Sequence, residues 1–299
     1  MNTEDKNEKI EDKKDLAKAL RDISVELYNN ERMISKALDA IGKACEMDPD
    51  SSLYLFERDF LLEEAGADPV VRLSLLEERK ELLSERDDLA LNYAHVLNLN
   101  GKIDEAADIL LGRDFKLDKE GQIRLSEEYR RTLLTMAIRE VTEGNRARGI
   151  VIGEMSLTYP KNLGIDPEIE LPDNMGWYML GEMHREGGDE DAADVAYKKA
   201  AEGETLPKLL YSSTDIPSDH IYWQALAKAR LGQKKEALDL MRKLMDFGNE
   251  SMEKISELQE VNETQDNNQS YRTDLKKKNE DYCKRLISLG VRGLGEVNG

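Results

Sequence analysis

The turns GKIDEAA from Gly101, GDEDAA from Gly188 and GQKKEA from Gly232 each place an alanine five residues after a glycine, at Ala106, Ala193 and Ala237. Seven residues before each glycine stands another small residue: Ala94, Gly181 and Ala225. A glycine turning the chain between two apolar-periodic stretches, bracketed by small residues at fixed distance, specifies a helical hairpin whose axes cross closely. The fullest copy is DNMGWYMLGEMHREGGDEDAADVAYKKAAEG, residues 173–203. There Trp177, Leu180 and His184 share one face of a first helix, and Ala193, Tyr197 and Ala200, spaced four and three apart, lay a second helix back against it. One such hairpin cannot bury its apolar face alone, so the spacing also predicts stacking of successive copies.

Composition agrees with thin stacked layers. The 299 residues are 39% hydrophobic and only 6% aromatic, with 35% charged, which is lean for one large core. A formal charge of −19 argues against nucleic acid, where a basic partner would release phosphate counterions, and against anionic membrane surfaces. Cys45 and Cys283 are the only cysteines, too few for a disulfide framework or a four-cysteine zinc site. The start, MNTEDKNEKIEDKK, has no apolar stretch of the signal-peptide kind, and no run approaches the roughly 18–20 apolar residues that cross a bilayer. The reading is a soluble chain in a reducing, cytoplasmic compartment.

In chain order, residues 1–13 are expected to be disordered, 14–248 to form the helical array, and 249–299 to be a polar segment with a terminal helix in the position of a cap. A first hairpin carries Leu16, Leu20, Ile23, Leu27 and Tyr28, then Ala37, Ile41 and Ala44, stopping at Pro49. A second turns at Gly66–Pro69, and the third contains Ala94. A fourth spans about 121–158, with Gly149 and Gly153 inside its second helix, where each glycine costs about 1 kcal/mol of helix propensity and close packing is the compensation. Two long connections, TYPKNLGIDPEIELPDN and GETLPKLLYSSTDIPSD, flank the fullest copy; they are candidate functional loops or covers for apolar helix ends. The terminal GVRGLG reads as a hairpin turn.

Trp177, Leu180, Gly181, Gly188, Ala193, Tyr197 and Ala200 fall where the tetratricopeptide signature places its large, small and aromatic residues, with His184 standing where that pattern prefers tyrosine. The chain therefore resembles tetratricopeptide-repeat proteins. The resemblance implies an all-α fold of some 12 to 14 helices in antiparallel pairs, a right-handed superhelical array. The order of RDDLALNYAHVLNLNGKIDEAADILL, YPKNLG, the fullest copy and YWQALAKARLGQKKEALDLMRKLMDFG further resembles the C-terminal repeat region of large bacterial proteins with an N-terminal β-sandwich domain, sometimes described as glycoside-hydrolase-like. That likeness covers about residues 53–248. It departs at KLDKEGQ, where an aromatic and acidic loop is frequent, and the β-sandwich is absent.

In such an array the concave face is lined by positions one, five and eight after the signature tryptophan. These are Tyr178, Glu182 and Arg185 in the fullest copy, Leu91, His95 and Asn98 in the third hairpin, and Tyr222 and Leu226 in the last. They are the expected ligand-binding residues, facing a peptide or a partner's surface loop. Trp177 and Trp223 read as core. The three histidines, His95, His184 and His220, lie in separate repeats with no HExxH spacing, so neither a metal nor another cofactor is expected. With 62 carboxylates, a pair of them says nothing of acid–base catalysis. The expected function is a non-catalytic scaffold for a protein, peptide or neighbouring domain. The bacterial resemblance implies an alternative, an accessory module of a carbohydrate-active protein, and unfinished repeat ends leave a homodimer open.

Overall fold

The computed structural model describes residues 3–255 and 271–298, with side chains from Glu11 onward. It divides into two compact units: residues 1–117 with 265–272, and residues 118–264 with 273–299. Among the described residues there are 13 α-helices and no strand.

The first unit contains α1 (Thr3–Glu31), α2 (Ile34–Met47), α3 (Ser52–Glu64), α4 (Pro69–Glu77), α5 (Asp87–Leu99) and α6 (Ile103–Gly112). The second contains α7 (Lys119–Thr142), α8 (Arg146–Met155), α9 (Asn174–Glu186), α10 (Glu190–Ala200), α11 (His220–Arg230), α12 (Lys234–Ile255) and α13 (Leu275–Asn298). Helices pack chiefly on their sequence neighbours, and α9, α11 and α13 also touch in succession. Each unit is thus the expected all-α, tetratricopeptide-like set of antiparallel helix pairs.

Local chemistry sets the boundaries. The Asp68, Asp118 and Asp189 side chains accept from the backbone N–H of Val70, Gly121 and Ala192, satisfying donors that a helix start leaves orphaned; such caps contribute about 1 kcal/mol each. The glycines of the three repeated turns, Gly101, Gly188 and Gly232, have φ of 74°, 78° and 78°, a left-handed conformation that a Cβ disfavours. At the α9–α10 crossing a Cβ on Gly181 would lie 2.4 Å from the Tyr197 ring, so the small residue is required there. Gly149 and Gly153 have the anticipated compensation, because a Cβ would meet Val141 at 2.6 Å and Leu180 at 2.9 Å.

Three expectations are corrected. Helix α1 begins at Thr3, so most of the stretch expected to be disordered is helical. The boundary placed at residue 248 falls inside α12, whose Gly248, Ser251 and Ile255 are buried. GVRGLG is the last part of α13 and not a turn, since Gly290 and Gly293 press against Met241 of α12, where side chains would clash. Glycine spacing alone does not distinguish a turn from a close helix crossing. Part of the polar segment, residues 256–270, lies outside the described residues.

Both long connections are pinned to helices. Arg130 of α7 donates to the Pro172 carbonyl at 2.6 Å, the Tyr159 hydroxyl at 2.6 Å and the Asp173 carboxylate, while Leu163 is buried. Asn279 of α13 accepts from the Leu210 N–H at 2.9 Å and donates to the Leu210 carbonyl at 2.7 Å. Leu210 itself joins the apolar core beside Ile255, Tyr282 and Leu286. Each loop thus adds a leucine to the interior and covers helix surface.

In the first unit, Tyr28, Phe60 and Tyr271 pack with ring centroids 5.5–5.9 Å apart. Below them α3 supplies acidic partners to other helices. Glu57 accepts from Arg21 at 2.6–3.0 Å, and Asp59 accepts from Arg72 at 2.8 and 2.9 Å and from Asn92 at 3.1 Å. Buried carboxylates are tolerated because each is paired and hydrogen-bonded.

Candidate functional site, a charged ladder over an aromatic floor

The successive contacts of α9, α11 and α13 assemble side chains from two hairpins and the last helix on one face of the second unit. Tyr178, Trp223 and Tyr222 form an aromatic layer beneath it, of which only Trp223 is partly open: Tyr178 and Trp223 centroids are 5.6 Å apart, and Tyr222 meets Trp223 edge-on at 5.0 Å. Tyr197 of α10 stands behind Tyr178 at 5.9 Å. Such offset and edge contacts suit the ring quadrupole and hold the rings in place.

Two carboxylates cross this floor. Glu182 accepts from the Tyr197 hydroxyl at 2.5 Å, from Arg185 at 2.9 Å, and from Nε and Nη2 of Arg230 at 2.8 Å each. Glu296 accepts from the Tyr222 hydroxyl at 2.7 Å and from Arg292 at 2.8 Å, with the Arg292 guanidinium 5.5 Å above the Tyr222 ring. The carboxylates therefore hold three arginines whose side chains stay partly or largely open to solvent.

Burial pushes the Tyr197 and Tyr222 hydroxyls up, and their bonds to Glu182 and Glu296 add to it, because ionising the phenol would set two negative charges together. Burial raises the Glu296 carboxyl, but hydrogen bonds from Tyr222 and Arg292 outweigh it, so the net shift is downward.

The eight expected groove residues divide between the units. Leu91, His95 and Asn98 lie on α5 of the first; Tyr178, Glu182, Arg185, Tyr222 and Leu226 lie in the second. Leu91, Tyr178, Tyr222 and Leu226 are only 3%, 8%, 0% and 7% exposed, and so belong to the packed interior and not to an open lining. The correction has a simple cause: neighbouring helices and loops close over the apolar positions, leaving the charged ones at the surface. His95 and Asn98 remain partly open, with His95 3.4 Å from Glu63, as do Glu182 and Arg185. Trp177 and Trp223 sit at the edge of the core, and Lys199 lies 3.9 Å over the Trp177 ring.

Sequence reasoning missed Arg230, Arg292 and Glu296. The only local signal was the i,i+4 pair Arg292–Glu296, hidden because that stretch reads as a turn. Among the described residues no group of three or more His, Cys, Asp or Glu side chains is placed to hold a metal, and no helix is long and apolar enough to cross a membrane.

No protein-family model matches the sequence. Among solved structures, the TPR domain of P58(IPK) is 16% identical, with 93% of this chain and 76% of that chain covered and a TM-score of 0.35. A structure of Naa15/Naa10 bound to HypK-THB is 17% identical over 80% of this chain and 38% of that chain, with a TM-score of 0.27. At these scores neither likeness bears on function, and the fold class rests on the helix pairs themselves. The bacterial resemblance rests on sequence alone.

Proposed function

We propose that the chain is a non-catalytic scaffold holding a partner polypeptide against the α9–α11–α13 face. The observation that supports this most is the pre-ordering of Arg185, Arg230 and Arg292 by Glu182 and Glu296 over an aromatic floor. A guanidinium carries five N–H donors, and the two carboxylates take only part of that capacity. What is left fits backbone carbonyls and carboxylates of an extended segment. Side chains fixed before binding lose little freedom on contact, and arginine beside the partly open Trp223 matches the composition of energetic centres in protein interfaces, with the buried Tyr178 and Tyr222 supporting it from within. Cytoplasmic placement belongs to the same proposal; it rests on the charge and on two cysteines, Cys45 and Cys283, that are not bridged.

The test is affinity capture and crosslinking with the intact chain, set beside the Arg185→Ala/Arg230→Ala variant. Capture of a defined partner, crosslinked to this face and lost in the variant while circular dichroism is unchanged, is the expected result. An identical partner profile in the variant, or turnover of a substrate that stops when these arginines are removed, overturns the reading.

A further inference from the structure

Helix α1 presents two parallel exposed stripes of opposite character. Leu16, Leu20, Ile23 and Leu27 follow one another at intervals of four, three and four residues, so they lie along one line of the helix. Leu16 and Ile23 are 51% and 48% exposed, large values for such residues, and Leu20 and Leu27 are half-buried at the edge of the core. Beside this line runs a second one, Asp12, Asp15, Ala19, Asp22, Glu26 and Asn30, spaced three or four apart and exposed throughout. It holds four carboxylates and no cation of its own, while Arg21 and Arg272 line the surface hollow beside Asp22 and Glu26. Of these, Asp22 approaches Arg21 at 3.7 Å, and Arg21 is already gripped by Glu57. The opposite side of the apolar line turns toward Ala17, Ser24 and Tyr28, the residues by which α1 is buried in its own unit.

An apolar line with acidic residues on its one open flank is complementary to a helix of the opposite make-up. We propose that this face of α1 docks a basic amphipathic helix of a partner protein, with Leu or Ile at three- and four-residue spacing and Lys or Arg along one edge. The apolar line spans about 16 Å from Leu16 to Leu27, some three turns, which is enough for one short helix to lie along it. A second copy of this chain fits poorly. Antiparallel pairing of two α1 helices sets acidic flank against acidic flank, and parallel pairing drives the acidic flank against the side already packed on the unit's own core. The surface belongs to the first unit and does not depend on the α9–α11–α13 face of the second.

The test titrates the intact protein into a fluorescently labelled synthetic peptide of about 20 residues, long enough to cover the stripe. The peptide carries Leu at a and d positions and Lys on one flank; a scrambled peptide of the same composition is the control. Saturable binding that is stronger for the amphipathic order and weakens with salt is expected. Because Leu16 and Ile23 are exposed, Leu16→Glu/Ile23→Glu leaves the fold intact by circular dichroism. It weakens binding about tenfold or more, although it adds negative charge that strengthens any unspecific attraction to lysine. Asp22→Asn/Glu26→Gln lowers affinity several-fold, about three to ten, and flattens the salt dependence. Equal binding of the scrambled peptide, or unchanged or tighter binding by Leu16→Glu/Ile23→Glu, overturns the proposal. So does light scattering that shows a dimer which the same variant converts to a monomer, since a second copy then occupies the stripe.

Discussion

Arg230 reaches from α11 to Glu182 of α9 through two hydrogen bonds of 2.8 Å, tying together two hairpins that the long 203–219 connection separates in sequence. Glu182 is also the acceptor for the buried Tyr197 hydroxyl and for Arg185. Replacing Glu182 with alanine leaves that hydroxyl without its acceptor and two guanidinium groups side by side. The expected cost is about 1–3 kcal/mol, read from urea unfolding midpoints, with Glu182→Gln losing less because it keeps an acceptor. A variant as stable as the parent shows that solvent replaces Glu182 without loss.

Two helical glycines respond to alanine with opposite signs. A Cβ on Gly290 would stand 2.6 Å from the Met241 carbonyl oxygen, which is backbone and cannot step aside, so Gly290→Ala is expected to destabilise by about 1–3 kcal/mol. Gly42 in α2 has nothing within 4 Å of that position, and Gly42→Ala is expected to stabilise by about 0.5–1 kcal/mol through helix propensity. Thermal unfolding of the two variants checks both directions. A stabilising shift for Gly290→Ala contradicts the α12–α13 crossing, and a destabilising one for Gly42→Ala contradicts the open space around α2.

Alkaline pH is expected to destabilise the protein through its buried tyrosines. Burial pushes the Tyr129 hydroxyl from 10.0 up to about 12, and Tyr197 and Tyr222 are raised by burial and by their carboxylate partners. A phenol that holds its proton more tightly when folded contributes its full stability below the unfolded value. That contribution falls as pH climbs from 10 toward the folded value, because the unfolded chain ionises first. Urea midpoints measured up to the alkaline limit should decline above about 10. Tyrosinate absorbance from the buried rings should rise together with loss of helical circular dichroism. Full ionisation with the helix signal intact contradicts the assigned burial.

The two long connections should loosen one at a time. Asn279→Ala removes both bonds to the Leu210 backbone, and Arg130→Met removes those to Pro172, Tyr159 and Asp173. Hydrogen exchange is expected to quicken around residue 210 in the first variant and over 159–173 in the second, each leaving the other loop protected. The global loss is about 1–3 kcal/mol in either case, since a buried polar partner is orphaned. Unchanged exchange in the targeted loop counts against its anchor.

The hairpins were legible in the sequence because their determinants are local. Gly101, Gly188 and Gly232 turn the chain whatever surrounds them, and Gly181 opposite Tyr197 sits within one hairpin. Which of the expected groove positions stay open was legible only in half. Glu182 and Arg185 are partly open, whereas Leu226, the counterpart of Glu182, is interior, as are Tyr222 and its counterpart Tyr178. Position in a repeat says which way a side chain points and not what else packs there.

The spacing of small, aromatic and turn residues by itself determined that this chain forms paired helices stacked in order, since backbone conformation and the apolar stripe depend on neighbours a few residues away. Tertiary structure alone decided that GVRGLG continues a helix, that Asn279 holds the Leu210 backbone 69 residues away, and that Glu296 completes a face begun by Tyr178. Those outcomes depend on contacts between distant segments, whose geometry is fixed only once the helices have packed.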